Sequence, residues 1–155
     1  MRRIIATCWM VILSASAYSG ETNLRFAKWF QFPGRREVVA VSEGDFEPRS
    51  IGSYALRVYG GASKNSPTDD FVAGVTRPRN GTVEGVKFAS VTGAEVPEIV
   101  VITRSVGSGG YLSADAFRYR DRALEWLVTV SDLDKAADPI PALRDKFKVS
   151  AEKKG

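Results

Sequence analysis

Turn-forming residues recur at short intervals along the whole sequence, and short aromatic or β-branched segments lie between them. Pro33-Gly34, Gly60-Gly61 and Asn80-Gly81 are clear examples. Strands joined by tight turns give this pattern, whereas helices need longer uninterrupted segments with a period near 3.6 residues. The sequence therefore predicts one all-β domain.

The segments between the turns have the composition of strands, because they are rich in β-branched and aromatic residues. They are residues 24–32, 37–42, 54–59, 71–76, 82–91, 98–103, 111–120 and 123–130. The continuous β-branched run Ile99–Ile102 predicts a central strand that is covered on both faces. A change of period near Ala116 predicts a β-bulge. Residues 123–130 also suit a helix, although Trp126–Val130 favours a strand.

Two connections can be interpreted from their residues. Asn80-Gly81 favours the left-handed backbone of a tight hairpin turn between its two flanking strands, and Pro78 predicts that the first of them is an edge strand. Residues 60–70 are rich in Gly, Ser, Asn, Pro and Asp, which predicts an exposed loop.

One helix is predicted near the C-terminus. Asp138 has the residue type of an N-cap, Pro139 suits the first helical position, and Ile140, Leu143 and Phe147 form an apolar stripe. We expect this helix to cover one end of the sheets and residues 150–155 to fray. The predicted fold is an antiparallel β-sandwich or barrel of about eight strands with one short C-terminal helix.

The N-terminus has the three regions of a secretory signal peptide. Arg2 and Arg3 precede an apolar run, Ile4–Leu13, and small residues follow up to Ala17. The run is short for a stable transmembrane helix, so we expect cleavage after Ala17 and a single domain over residues 18–155. A buried N-terminal helix or strand is the alternative. The only cysteine, Cys8, lies in the removed segment, so the exported domain must be stabilised by a packed core without disulfides.

The charge pattern bears on the class of partner. Loss of Arg2 and Arg3 lowers the formal net charge from +4 to +2, and the remaining basic residues are interspersed with acidic ones. No continuous basic stripe is left for a nucleic-acid backbone, and no second apolar segment has the length of a membrane span. We therefore expect a soluble periplasmic protein that binds neither nucleic acid nor membrane. A homodimer through edge strands is possible.

The amino-acid composition excludes most classes of enzyme. The chain has no histidine and the exported part no cysteine, which excludes Ser-His-Asp and Cys-His catalysis and the usual zinc ligand sets. We therefore expect no metal, no cofactor and no enzymatic activity. A glycosidase needs only two facing carboxylates, although solvated surface charges are the better interpretation. The possible carboxylates are Asp69, Asp70, Asp115, Glu125, Asp132 and Asp134.

The segment Ser105–Tyr111, called the glycine loop below, places three glycines and two serines between two predicted strands. Such a segment is most often a plain hairpin connection. Its glycines also permit a tight tip that fits a narrow cleft. The sequence Ser108-Gly109-Gly110-Tyr111, within residues 105–117, resembles the periplasmic inhibitors of I-type (invertebrate-type) lysozyme.

This resemblance implies a sandwich of two antiparallel sheets and inhibition of a lysozyme by the glycine loop. Ser108 and Tyr111 would supply hydroxyls to catalytic carboxyl groups of the enzyme, and Gly107, Gly109 and Gly110 would shape the tip. Arg104 would meet acidic groups at the rim of the cleft, unless it is an ordinary solvated arginine.

Other partners remain open at this point. Inhibitors of c-type lysozyme carry Ser-Gly-x-x-Tyr and commonly have cysteines, and this sequence departs from both features. Inhibitors of g-type lysozyme have a similar loop and are an alternative. A glycan-binding module that stacks exposed aromatic residues on sugars is another, although we expect a core role for most of these residues. The aromatic residues in question are Trp29, Tyr54, Tyr59 and Tyr119.

Overall fold

A computed structural model of the protein describes residues 24–61, 66 and 68–153, so the predicted signal peptide lies outside the described residues. Eight strands and one helix occur in this part. They are β1 (Ala27–Gln31), β2 (Val38–Glu43), β3 (Ile51–Tyr59), β4 (Phe71–Asn80), β5 (Thr82–Ala89), β6 (Glu98–Arg104), β7 (Leu112–Arg120), β8 (Ala123–Leu133) and α1 (Pro139–Glu152). No helix among these residues has both the length and the apolar character needed to span a bilayer.

The eight described strands form two antiparallel sheets of four strands each, in the order β1-β2-β3-β4 and β5-β6-β7-β8. Within each sheet every strand pairs with its neighbour in the chain. The predicted all-β sandwich with a C-terminal helix is therefore confirmed, and the barrel alternative is wrong. Strand boundaries differ from the prediction by a few residues, since β1 begins at Ala27 and β3 at Ile51.

The predicted hairpin at Asn80-Gly81 is wrong. Among the described strands β4 pairs with β3 and β5 pairs with β6, so the chain passes at Gly81 from one sheet to the other. Gly81 has a φ of +96°, and its N–H donates to the Ser50 carbonyl at 2.8 Å. Asn-Gly correctly indicated a left-handed backbone, which a crossover needs as much as a hairpin does. The edge position that Pro78 predicted for β4 is confirmed.

The main core lies between the inner faces of the two sheets. Its buried residues are Phe32, Val39, Val41, Tyr54, Leu56, Val58, Val83, Ile99, Val101, Phe117 and Tyr119. On β6 the alternate residues Val100 and Ile102 face away from this core and join a second cluster beneath α1. The prediction that this strand is covered on both faces is therefore confirmed, and β6 is a rigid support for the segment that follows it.

Helix α1 begins as predicted, since the Asp138 side chain accepts a hydrogen bond from the Ile140 N–H at 3.4 Å. It does not cover an end of the sheets. Its buried Leu143 packs on the outer face of the second sheet, where the small residues Ala114 and Ala116 leave room for a helix. The helix extends two residues beyond the predicted start of fraying at residue 150 and ends at Glu152. Residues 154 and 155 lie outside the described residues.

Strand β8 settles the ambiguity of residues 123–130 in favour of a strand. It pairs with β7 with a register shift between Ala116 and Phe117, where Val128 and Trp126 are the partners. The extra residue is Leu127 on β8, so the bulge predicted near Ala116 is confirmed and lies on the partner strand.

Candidate functional site

The glycine loop connects the two central strands of the second sheet. Arg104 at the end of β6 pairs with Leu112 at the start of β7. Beyond this pair the Ser105 N–H donates to the Tyr111 carbonyl at 2.9 Å and closes the base of the loop. The loop therefore projects from the two strands of this sheet that are paired on both sides.

The tip of the loop is a tight turn. The Gly110 N–H donates to the Gly107 carbonyl at 3.3 Å, so the chain reverses through Ser108 and Gly109. Gly110 has a φ of +54°, in the left-handed region that glycine adopts without steric cost. Ser108 is exposed at this turn. The structure thus brings together all five residues from Gly107 to Tyr111.

Tyr111 lies across the turn rather than in the core. Its side chain is 52% exposed, and its ring covers Gly109 so closely that a side chain at Gly109 would overlap the ring. The neighbouring Val106 is 59% exposed. A hydroxyl, an aromatic ring and an aliphatic side chain are therefore displayed together on a narrow projection.

Arg104 is engaged within the protein. Its Nε and Nη2 donate to the two carboxylate oxygens of Glu84 at 2.7 and 2.8 Å. Its Nη1 donates to the carbonyls of Gly110 at 2.8 Å and Lys135 at 3.3 Å. The hydrogen bonds to Glu84 raise the pKa of Arg104. These contacts correct the expectation of an ordinary solvated arginine, while contact with a partner stays a prediction.

Glu84 was not among the residues predicted for the site. It is the extra residue of a bulge in β5, because Val83 pairs with Thr103 and Gly85 pairs with Ile102. A glycine inside a strand is a known sign of a bulge, so Gly85 carried a usable signal for the irregularity. The partner of Glu84 lies on another strand and had no local signal.

Three of the carboxylates considered for a glycosidase make other contacts in the structure. Asp115 is buried and accepts hydrogen bonds from the hydroxyls of Tyr54, at 2.5 Å, and Thr129. It also forms an ion pair with Arg77, whose Nη2 lies 3.6 Å from the Asp115 Oδ1. Burial, and after it the negative charge of Asp115, raise the pKa of Tyr54. This network joins β3, β4, β7 and β8 inside the sandwich, so Asp115 acts in the structure of the core.

Two of the remaining carboxylates form exposed ion pairs. Asp70 lies 3.9 Å from Arg122, and Glu125 lies 3.8 Å from Arg118. Within residues 24–61, 66 and 68–153, no group of three or more acidic side chains is placed to hold a metal ion. The site with a distinctive shape is the glycine loop.

Comparison with known families bears on this loop. The family model of the periplasmic lysozyme inhibitor of I-type lysozyme, PliI, matches residues 25–147, which is most of the chain and includes the whole glycine loop. The chain belongs to the family of periplasmic inhibitors of I-type lysozyme. Inhibitors of this family act by binding a protein, so the expectation that the chain is not an enzyme is confirmed by its family.

Solved structures agree with this assignment. PliI-Ah from Aeromonas hydrophila, a periplasmic inhibitor of I-type lysozyme, is 41% identical to the inhibitor with a TM-score of 0.71, covering 76% of this chain and 98% of that chain. Aeromonas hydrophila PliI in complex with Meretrix lusoria lysozyme is also 41% identical with a TM-score of 0.71, covering 77% and 95%. A search of curated proteins finds no match.

The aromatic residues considered for glycan binding are divided by the structure. Tyr54 and Tyr119 are buried in the main core, whereas Trp29 is exposed on β1. The predicted core role is confirmed for those two tyrosines.

Proposed function

We propose that this inhibitor blocks I-type lysozyme by inserting the glycine loop into the active-site cleft of the enzyme. The observation that carries the proposal is the projecting turn with Ser108 and Tyr111 exposed on it and a base fixed by β6 and β7. Family membership supports the class of enzyme. The complex of Aeromonas hydrophila PliI with Meretrix lusoria lysozyme supports direct binding as the mode of action.

The chemistry of the two partners is complementary. Lysozymes cleave glycosidic bonds with carboxyl groups that face a groove. A hydroxyl that donates to an ionised carboxylate makes a short, charge-assisted hydrogen bond. Ser108 and Tyr111 supply such donors without bringing a charge that would have to be desolvated. Their hydrogen bonds would occupy the groups that the enzyme needs for catalysis.

Tyr111 also supplies apolar area. A tyrosine ring buries a large surface with only two rotatable side-chain bonds, and such residues dominate the binding energy of many interfaces. Because its ring already lies against Gly109, little freedom remains to be lost on binding. The ring would fill a position in the cleft where a sugar otherwise binds.

Export accompanies this function. We propose that residues 1–17 direct the chain to the periplasm and are removed, and that residues 18–155 form the mature inhibitor. The family is periplasmic by description. In that compartment the inhibitor would protect peptidoglycan from lysozymes that cross the outer membrane.

The test is a cell-wall lysis assay with I-, g- and c-type lysozymes, using the mature protein and its Ser108→Ala variant. We expect inhibition of the I-type enzyme, little effect on the c-type enzyme, and a weakening by Ser108→Ala of about tenfold, as for loss of a charge-assisted hydrogen bond. Absence of inhibition of I-type lysozyme by the wild-type protein would overturn the proposal. Equal inhibition by the Ser108→Ala variant would show that Ser108 does not contribute to lysozyme binding.

A further inference from the structure

The side chain of Arg104 links three separate segments of the inhibitor. It contacts Glu84 on β5, Gly110 in the glycine loop and Lys135 in the turn between β8 and α1. The other hydrogen bonds that shape the loop, at Ser105 and Gly110, are between backbone groups. Arg104 therefore ties the loop to structure outside itself.

We propose that Glu84 is a positioning residue for inhibition, which holds the Arg104 guanidinium so that it fixes the Gly110 carbonyl before lysozyme binds. This inference rests on the proposed role of the glycine loop. Glu84 acts through Arg104 and needs no contact with the enzyme.

The geometry of the ion pair favours this role. Two parallel N–H···O bonds, of 2.7 and 2.8 Å, join the guanidinium edge formed by Nε and Nη2 to the carboxylate. A bidentate pair fixes the plane of the guanidinium as well as its distance. With that plane fixed, Nη1 is directed at Gly110 and Lys135, where it donates to both carbonyls.

The strand register explains why Glu84 reaches Arg104. Thr82 lies opposite Arg104, and Glu84 is two residues further along β5, diagonally across the two strands. The bulge at Glu84 shifts the register of β5 and β6 after Val83, so Glu84 itself has no residue directly opposite it on β6. A bulge beside a functional loop is a common way to direct one side chain.

The exposure of the pair argues against a mainly stabilising role. The side chains of Arg104 and Glu84 are 34% and 44% exposed, and ion pairs at such positions contribute little to the stability of a fold. Fixing a loop in its bound conformation instead lowers the cost of ordering that binding would otherwise incur. The effect of Glu84 should therefore appear in affinity and not in thermal stability.

Two roles of Arg104 make opposite predictions for Glu84. If Arg104 itself binds acidic groups of lysozyme, Glu84 competes with the enzyme, and its neutralisation strengthens or preserves inhibition. If Arg104 positions the loop, neutralisation of Glu84 weakens inhibition. The substitution Glu84→Gln separates these roles because it keeps the size of the side chain and removes its charge.

The experiment measures the inhibition constant of wild type, Glu84→Gln and Arg104→Lys against I-type lysozyme, together with the melting temperature of each. We expect roughly tenfold weaker inhibition for both variants, as loop ordering is lost, with melting temperatures close to wild type. The control is Glu125→Gln, which removes the exposed pair between Glu125 and Arg118 and should leave inhibition unchanged.

A second measurement needs no enzyme. NMR relaxation of the free protein should show lower backbone order at residues 106–110 in Glu84→Gln than in wild type or Glu125→Gln. Unchanged order in the loop, or inhibition by Glu84→Gln as strong as wild type, would overturn the positioning role while leaving the proposed function intact. Failure of the wild-type protein to inhibit would overturn the proposed function, and the relaxation data would still decide whether Glu84 orders the loop.

Discussion

Gly81 shows how a single residue connects the fold to the site. It lies where the chain leaves the first sheet, and a side chain there would meet the backbone of Arg104 and Ser105, at the base of the glycine loop. The close approach places the crossover beside the loop, so both depend on the same backbone position.

The substitution Gly81→Ala should destabilise the protein. The added methyl group would lie 2.6 Å from the Ser105 Cα, and φ is +96°, so strain and overlap act together. We expect a loss of about 2 kcal/mol or more in the free energy of unfolding, measured by urea denaturation. Gly85→Ala is the matched control, because no heavy atom beyond Gly85 and its two chain neighbours lies within 4 Å of the added methyl group. Equal stability of the two variants would contradict the predicted overlap.

Tyr54 provides a pH-dependent prediction. Because burial and Asp115 raise its pKa, the folded protein keeps the phenolic proton at a pH where the unfolded chain has lost it. The contribution of Tyr54 to the free energy of unfolding should therefore be complete below about pH 10 and fall above it.

Comparison of wild type with Tyr54→Phe isolates this effect. At pH 8 the wild type should be more stable by about 1 kcal/mol, through the hydrogen bond to Asp115. Near pH 11 the Tyr54 phenol of the unfolded chain is deprotonated, which should lower the free energy of unfolding of the wild type by about 1.4 kcal/mol and so remove this advantage. A difference between the two proteins that is the same at pH 8 and pH 11 would show that Tyr54 titrates normally.

At the scale of the elements, the strands were predictable because alternation and turn residues are local. The segment Ile99–Ile102 shows this most clearly, since its continuous apolar pattern corresponded to burial on both faces. The glycine loop was likewise visible as a short sequence. The partner strands of β4 and β5 could not be predicted in this way. Asn80-Gly81 specifies the backbone of the turn but not which sheet each strand joins.

The same distinction applies within the candidate site. Ser108 and Tyr111 lie within one four-residue motif, so their association followed from the sequence. Glu84 lies 20 residues before Arg104. Nothing in the local pattern indicated that the two would meet. Contacts of this kind depend on strand order and register, which the sequence of one chain does not reveal.

Helix α1 is the element whose position was predicted wrongly, and its contribution can be measured. Leu143 is fully buried against the second sheet, so Leu143→Ala should cost about 2 to 5 kcal/mol in the free energy of unfolding. Val149→Ala, at an exposed position of the same helix, should change it by less than about 0.5 kcal/mol. Similar small losses for both variants in urea denaturation would mean that α1 does not cover the sheet.

At the scale of the whole molecule, the described domain contains no cysteine and is held together by packing and buried polar contacts. Arg79 has a fully buried side chain that donates to the carbonyls of Ser53 and Arg49 at 3.0 Å each. Glu43 on β2 accepts from the Val83 N–H of β5 at 2.5 Å, which joins the two sheets near the crossover. These contacts give the glycine loop a fixed frame without disulfides.

We propose that this frame presents Tyr111 to a lysozyme cleft. The most direct test of this proposal is the dissociation constant for I-type lysozyme, measured by calorimetry for wild type, Tyr111→Ala and Phe46→Ala. Phe46 is a fully exposed aromatic residue outside the loop and serves as the control. We expect an affinity lower by roughly thirtyfold or more for Tyr111→Ala and an unchanged affinity for Phe46→Ala. Equal affinity of wild type and Tyr111→Ala would contradict the proposal.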